Sequence, residues 1–185
     1  KNVASLSNYI DAGYEVVYTC TSCGLCLLHD YQGIMDIPEA KKIAENSYDL
    51  HEYLLRLIAG KEIRPKFQEV HRTLAYHIPC HLRALKIGYP AAELMQRIPD
   101  LECRILDDAC CGLNGSYGFK KINETTAVQL GSRAVSLISK TGAEAIVADC
   151  GSCRMQLGGL SGMASYDPAE ILCEALGIRD KKQMK

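Results

Sequence analysis

Several features that would place this chain in a common functional class are missing. Its 185 residues carry a formal net charge of -1 and a pI of about 6.6. No basic field therefore marks a nucleic-acid binder, and no acidic tail marks a chaperone. No stretch approaches the roughly 20 apolar residues that span a bilayer, and no signal-peptide pattern opens the chain. Membrane contact is therefore expected only through a partner. No Ser/His/Asp order or paired-carboxylate signature stands out. Gly112-x2-Gly115-x2-Gly118 lacks the Gly-Lys-Ser/Thr ending of a phosphate loop and the preceding strand of a dinucleotide fingerprint. With 48% apolar and 23% charged residues, the composition is ordinary for a globular domain. The first residue is Lys1 rather than Met, within a pattern that already reads as helix then strand. That opening reads as a piece of a longer chain, cut inside a domain.

What is abundant is cysteine: ten residues, too many for a typical reduced enzyme. The chain is also too long for a disulfide-stapled mini-domain, and the absence of a secretory signal favours metal over disulfides. Five cysteines form one set, Cys80, the adjacent pair Cys110 and Cys111 followed by Gly112, then Cys150 and Cys153. Its spacing is C-x29-C-C-G-x37-C-x2-C. Adjacent cysteines are poorly placed for a mutual disulfide, whereas both sulfurs can face one polynuclear iron–sulfur cage.

Helices are expected over Asn2–Asp11, from a Ser47 cap to Ile58, from Pro90 to Arg97, over Ile122–Lys140 and over Pro168–Leu176. Strands are expected over Tyr14–Thr19, Thr73–His77, Leu101–Leu106 and Ala145–Ala148. Gly33–Ala40, with Pro38, reads as a connection, and charged Lys61–Arg72, with Pro65, as a linker. The basic tail Lys181, Lys182 and Lys185 reads as solvated. Alternating strands and helices imply an α/β fold, a mostly parallel sheet with right-handed βαβ crossovers. Each cysteine of the set then lies just past the carboxyl end of a strand, the edge where open parallel sheets bind ligands. A strand followed by C-x2-C occurs at Val16–Cys23 and again at Ile146–Cys153, which suggests two pseudo-repeat lobes, the first incomplete.

The expected chemistry of the set is thiolate ligation of an iron–sulfur cluster of the [4Fe–4S] type; an all-thiolate zinc site using four of the five is the alternative. Gly112, Gly115, Gly118 and Gly151 let the main chain approach sulfur closely and aim N–H groups at it. A helix starting near Cys150 would add its positive end, against the acidic neighbours Asp108 and Asp149. Cys20, Cys23 and Cys26 mimic the opening of a ferredoxin run, but Asp30-Tyr31 stands where Cys-Pro belongs. Only Cys20 and Cys23 therefore read as a strand-end pair, with Cys26 packed in the following turn. His77 and His81 flank Cys80; anchoring the loop through backbone carbonyls is favoured over metal ligation. Lys120 and Lys121 are either a solvated pair or a hold for an anionic partner. Cys103, in a strand, and Cys173, in a helix, read as inert core thiols.

At these residues the chain resembles the CCG-type cysteine-rich domain family, whose repeat runs Cys, Cys-Cys-Gly, Cys-x2-Cys. Tyr76–His81 and Asp108–Lys121 look most similar to the iron–sulfur subunits of anaerobic glycerol-3-phosphate dehydrogenases. The cysteine-rich subunits of heterodisulfide reductases and the iron–sulfur subunits of lactate and glycolate oxidases are related members. The resemblance implies that Cys80, Cys110, Cys111, Cys150 and Cys153 form one complete repeat (residues 69–185). It implies that Cys20 and Cys23 close another, in residues 1–68. It further implies an electron-transfer subunit, not itself the catalytic one, serving a flavin-containing dehydrogenase that oxidises glycerol 3-phosphate or a 2-hydroxy acid. Electrons would pass to a membrane quinone, from a cytoplasmic position peripheral at the inner face of the membrane. Thiol/disulfide catalysis of the heterodisulfide reductase kind is the alternative role, and a non-redox zinc interaction module is a third.

Overall fold

The computed structural model describes residues 1–178; the tail lysines 181, 182 and 185 lie outside the described residues. Helix α1 (Asn2–Asp11) leads to strand β1 (Val16–Tyr18). A helical run follows, α2 (Thr21–Leu25), a single π-helical turn (Cys26–Asp30) and α3 (Tyr31–Ile34). Next come α4 (Pro38–Glu45), β2 (Ser47–Asp49) and α5 (Leu50–Ala59). The second stretch holds β3 (Arg72–His77), α6 (Cys80–Leu85), α7 (Pro90–Met95) and β4 (Leu101–Leu106). It ends with α8 (Glu124–Ser139), β5 (Ala145–Val147), α9 (Gly151–Ser161), β6 (Ala164–Tyr166) and α10 (Pro168–Ala175).

The fold is α/β, and every strand pairing among the described residues is parallel. β1 and β2 form a two-stranded sheet, and the other strands form a four-stranded sheet in the order β4-β3-β5-β6. The inner strands β3 and β5 are buried on both faces, as parallel strands under helices must be. Leu74 and Tyr76 of β3 point to one face, against Ala91, Leu94 and Met95 of α7 and Ile171 of α10. Ala75 and Ile146 point to the other, against Ala134 and Ile138 of α8 and Leu157 of α9. Full burial of an aliphatic side chain such as Leu74 or Ile146 stabilises the fold by about 1.5–3 kcal/mol. The chain leaves β3 for β4 on one side, then crosses back to β5 on the other, so β3 and β5 flank a topological switch point.

Three elements differ from the sequence expectation. Ser47 does not cap a helix: Ser47–Asp49 is β2, the cap is Asp49, and the Ser47 hydroxyl donates to the Ile43 carbonyl. Pro38 does not sit in a connection but at the first position of α4, where its missing N–H costs nothing. β6, only three residues of Ala-Ser-Tyr, is not foreshadowed because it carries no β-branched pattern.

Candidate metal centre

Cys80 begins α6 directly after β3, the Cys110–Cys111 pair lies in the loop after β4, and Cys150 caps α9 after β5. These three chain ends meet at the switch point. Cys80, Cys111, Cys150 and Cys153 line one cavity of about 20 Å³, together with Ser22, His81, Leu113, Asn114, Gly115 and Ser152. Cys110 stands at the rim beside Cys80. Its Sγ accepts the Gly112 N–H at 3.3 Å. All ten cysteines are free thiols, and Cys111, Cys150 and Cys153 are buried.

The Cys-Cys-Gly turn requires its glycine. Gly112 has φ +93°, and a Cβ there would lie 2.2 Å from the Ala127 carbonyl oxygen in α8. The left-handed conformation turns the chain so that Cys110 and Cys111 both face the gathered sulfurs. Gly115, also at positive φ, lines the cavity. Gly151 is the first residue of α9 and nothing crowds its Cβ position, the nearest atom being an Arg154 nitrogen at 3.7 Å.

The sulfurs share protons unequally. Cys153 Sγ lies 3.2 Å from Cys111 Sγ and donates to it. That bond holds the Cys111 thiol down to about 7, assisted by backbone N–H groups of Leu113 and Asn114. Cys150 is held well below the ordinary thiol range by bonds from Cys153, Cys20, the Cys153 backbone N–H and Ser22. Its position at the N-terminus of α9 acts in the same sense. Cys153 and Cys20, as the donors, are pushed up. Burial also pushes Cys80 up. Two sulfurs are thus poised as thiolates and supported by amide donors, the form that binds metal.

The two cysteines of the first C-x2-C part company. Cys20 turns toward Cys150, while exposed Cys23 and half-buried Cys26 line a separate groove of about 330 Å³ with Asn2, Ser5, Leu6, Leu27 and Tyr31. Cys26 is therefore not packed away in a turn; it lies in the π-helical turn and bonds the Tyr31 side chain. His81 does not anchor through a backbone carbonyl either, since its Nδ1 meets Ser22 Oγ at 2.8 Å. Cys103 is half-buried in β4, its thiol pushed up to about 11 by burial, and Cys173 is half-buried in α10. Lys120 and Lys121 are exposed, as is Asp108.

Below the sulfurs lies a polar network that the cysteine pattern does not reveal. Asp149 is buried and accepts from the Tyr76 hydroxyl. His51, from the first lobe, places its Nδ1 3.6 Å from Asp149 and 3.3 Å from Asp49. Burial works against the His51 cation, but the Asp49 bond and the charges of Asp149, Asp49 and Asp167 outweigh it and raise its pKa. Burial raises Asp149 to about 6, with His51 and Tyr76 opposing the shift. One sequence signal was available. Ser47-Tyr48-Asp49-x2-Glu52 recurs as Ser165-Tyr166-Asp167-x2-Glu170, a strand followed by a capping box in both lobes.

Residues 74–158 match the family model of the CCG cysteine-rich domain. The chain carries a CCG cysteine-rich domain. It is 28% identical over 176 residues to the iron–sulfur-type third subunit of the anaerobic glycerol-3-phosphate dehydrogenase of Escherichia coli K12, covering 95% of this chain and 44% of that one. It is 30% identical over 163 residues to lactate utilization protein A of Shouchella clausii, covering 84% of this chain and 65% of that one. The chain thus spans less than two thirds of the length of either relative. The equivalent protein of Bacillus subtilis is 26% identical over 171 residues.

The donor set of this CCG domain fits an iron–sulfur centre better than a single ion. A tetrahedral zinc site with Zn–S bonds of about 2.3 Å draws its sulfurs to about 3.8 Å from one another. Among the described residues, the one trio of metal-donor atoms all within 4.8 Å of each other is exposed Glu69, His71 and Asp100, with no cysteine in it. The five thiols are spread more widely, around a cavity whose wall at Leu113–Gly115 is loop.

Proposed function

We propose that this chain is the cluster-bearing part of an iron–sulfur electron-transfer subunit, relaying electrons from a flavin-containing dehydrogenase subunit to a membrane quinone. The observation that carries this reading is the meeting of Cys80, Cys111, Cys150 and Cys153, from three strand ends, around one cavity at the switch point, with Cys110 at its rim. The names of the relatives, a glycerol-3-phosphate dehydrogenase subunit and lactate utilization proteins, support oxidation of glycerol 3-phosphate or a 2-hydroxy acid by the partner. No helix among the described residues is long and apolar enough to cross a membrane, so the reading puts the chain at the inner face through its complex. We further read residues 69–185 as one complete repeat and residues 1–68 as the close of another.

Cys80, Cys110, Cys111, Cys150 and Cys153 would hold a cluster of the [4Fe–4S] type, which when bound supplies one-electron transfer. The residues around it tune that chemistry. The N–H groups of Gly112, Leu113, Asn114 and Cys153 aim at ligand sulfurs, and such bonds raise the potential by stabilising the more negative, reduced state. The apolar neighbours Ala109, Leu113 and Leu157 shield the site from water. The cavity holds about one water in its present shape, so binding requires the Leu113–Gly115 loop to draw back. Anaerobic purification tests the proposal. A brown protein with iron and acid-labile sulfide, bleached by dithionite, is expected; a colourless zinc protein without sulfide would refute it.

A further inference from the structure

Cys150 gathers more hydrogen bonds than the other sulfurs, and two of its partners, Cys20 and Ser22, belong to the first lobe. Ser22 lies in the first turn of α2, whose N-terminus is seated on the Cys150 loop: the backbone N–H of buried Thr21 donates to the Asp149 carbonyl at 3.5 Å. The Ser22 hydroxyl lies 2.8 Å from His81 Nδ1 and 3.7 Å from Cys150 Sγ. A hydroxyl has one proton to give. Given to His81, it would leave the oxygen lone pairs facing an electron-rich sulfur. Given to the sulfur, it leaves the oxygen free to accept from a protonated Nδ1, and both contacts become attractive.

We propose that Ser22 is a positioning residue of the cysteine site: its hydroxyl donates to Cys150 Sγ while accepting from His81 Nδ1–H. The neighbouring lobe thereby orients one ligand sulfur and withdraws charge from it. The redox consequence rests on the iron–sulfur reading given above, whereas the contact itself does not. A hydrogen bond to a ligand thiolate favours the reduced state, so losing it lowers the midpoint potential. The chain His81–Ser22–Cys150 also fixes the His81 tautomer, which an imidazole free of such a partner does not hold.

Two readouts test this. In metal-free protein carrying ¹⁵N-histidine, long-range NMR correlations should show His81 as the Nδ1–H tautomer, changing to Nε2–H in Ser22→Ala; an Nε2–H tautomer in the unsubstituted protein would overturn the proposal. In protein loaded with iron and sulfide, redox titration should give a more negative midpoint for Ser22→Ala, restored by Ser22→Thr. His81→Ala should shift it in the same direction and add little on the Ser22→Ala background. No shift in Ser22→Ala, or equal shifts in the alanine and threonine variants, would overturn it. Should the unsubstituted protein take up no iron and sulfide, the proposed function fails, and the tautomer alone decides the Ser22 contact.

Discussion

His77 ends β3 with 1% of its surface exposed, and burial, with Arg83 adding to it against Cys150 and Asp107, pushes its ring down to about 4. The folded ring is therefore neutral where an unfolded one protonates, below about 6.5. The stability this contributes is complete above pH 6.5 and is lost as pH falls toward 4, by about 2 kcal/mol between pH 7 and pH 5. His51 and Asp149, both raised, titrate in the opposite sense. The expected signal is thus the difference between the unsubstituted protein and His77→Gln: urea unfolding at pH 7 and 5 should show a smaller acid loss in the variant. Gly112→Ala should unfold at lower urea and bind less iron, because its Cβ meets a backbone carbonyl that cannot move aside. Cysteine made much of the site legible in the sequence, since a rare residue at strand ends carries its meaning alone. Ser22 and His51 were illegible because common residues acquire their roles only through contacts with sequence-distant partners.

The two Ser-Tyr-Asp segments show how elements, and not only ligands, repeat. Each is a short strand whose aspartate caps the next helix: Asp49 accepts from the His51 and Glu52 backbone N–H groups, and Asp167 from Ala169. Asp167 also pairs with Arg154, which holds the Ala148 carbonyl. Replacing an aspartate cap by alanine costs about 1 kcal/mol. Asp49→Ala should cost more than Asp167→Ala, because it leaves His51 beside Asp149 without its other acidic partner in a buried setting. Equal losses in urea unfolding would contradict that ranking. Long periodic elements such as α8 and α1 were readable within a residue or two. Three-residue strands such as β2 and β6 were not, because parallel pairing to a buried neighbour stabilises them more than their own propensity does.

At the scale of the molecule, the two sheets share no hydrogen-bonded ladder, and the cysteine site is where their lobes meet. Thr21 on the Asp149 carbonyl, Ser22 on Cys150 and His51 on Asp149 all cross from the first lobe to the second. The parallel α/β fold and the gathering place at its carboxyl edge follow from strand–helix alternation. The crossing contacts do not, because nothing in the alternation tells how one lobe seats on another. The account stands on five sulfurs gripping one iron centre between these walls. Replacing each cysteine by serine in anaerobically prepared protein and measuring iron and labile sulfide per chain tests it most directly. Substitution at Cys80, Cys110, Cys111, Cys150 or Cys153 should lower both, while Cys103→Ser and Cys173→Ser should leave both unchanged. Iron and sulfide that are insensitive to the five, or that fall equally with the two core cysteines, would contradict it.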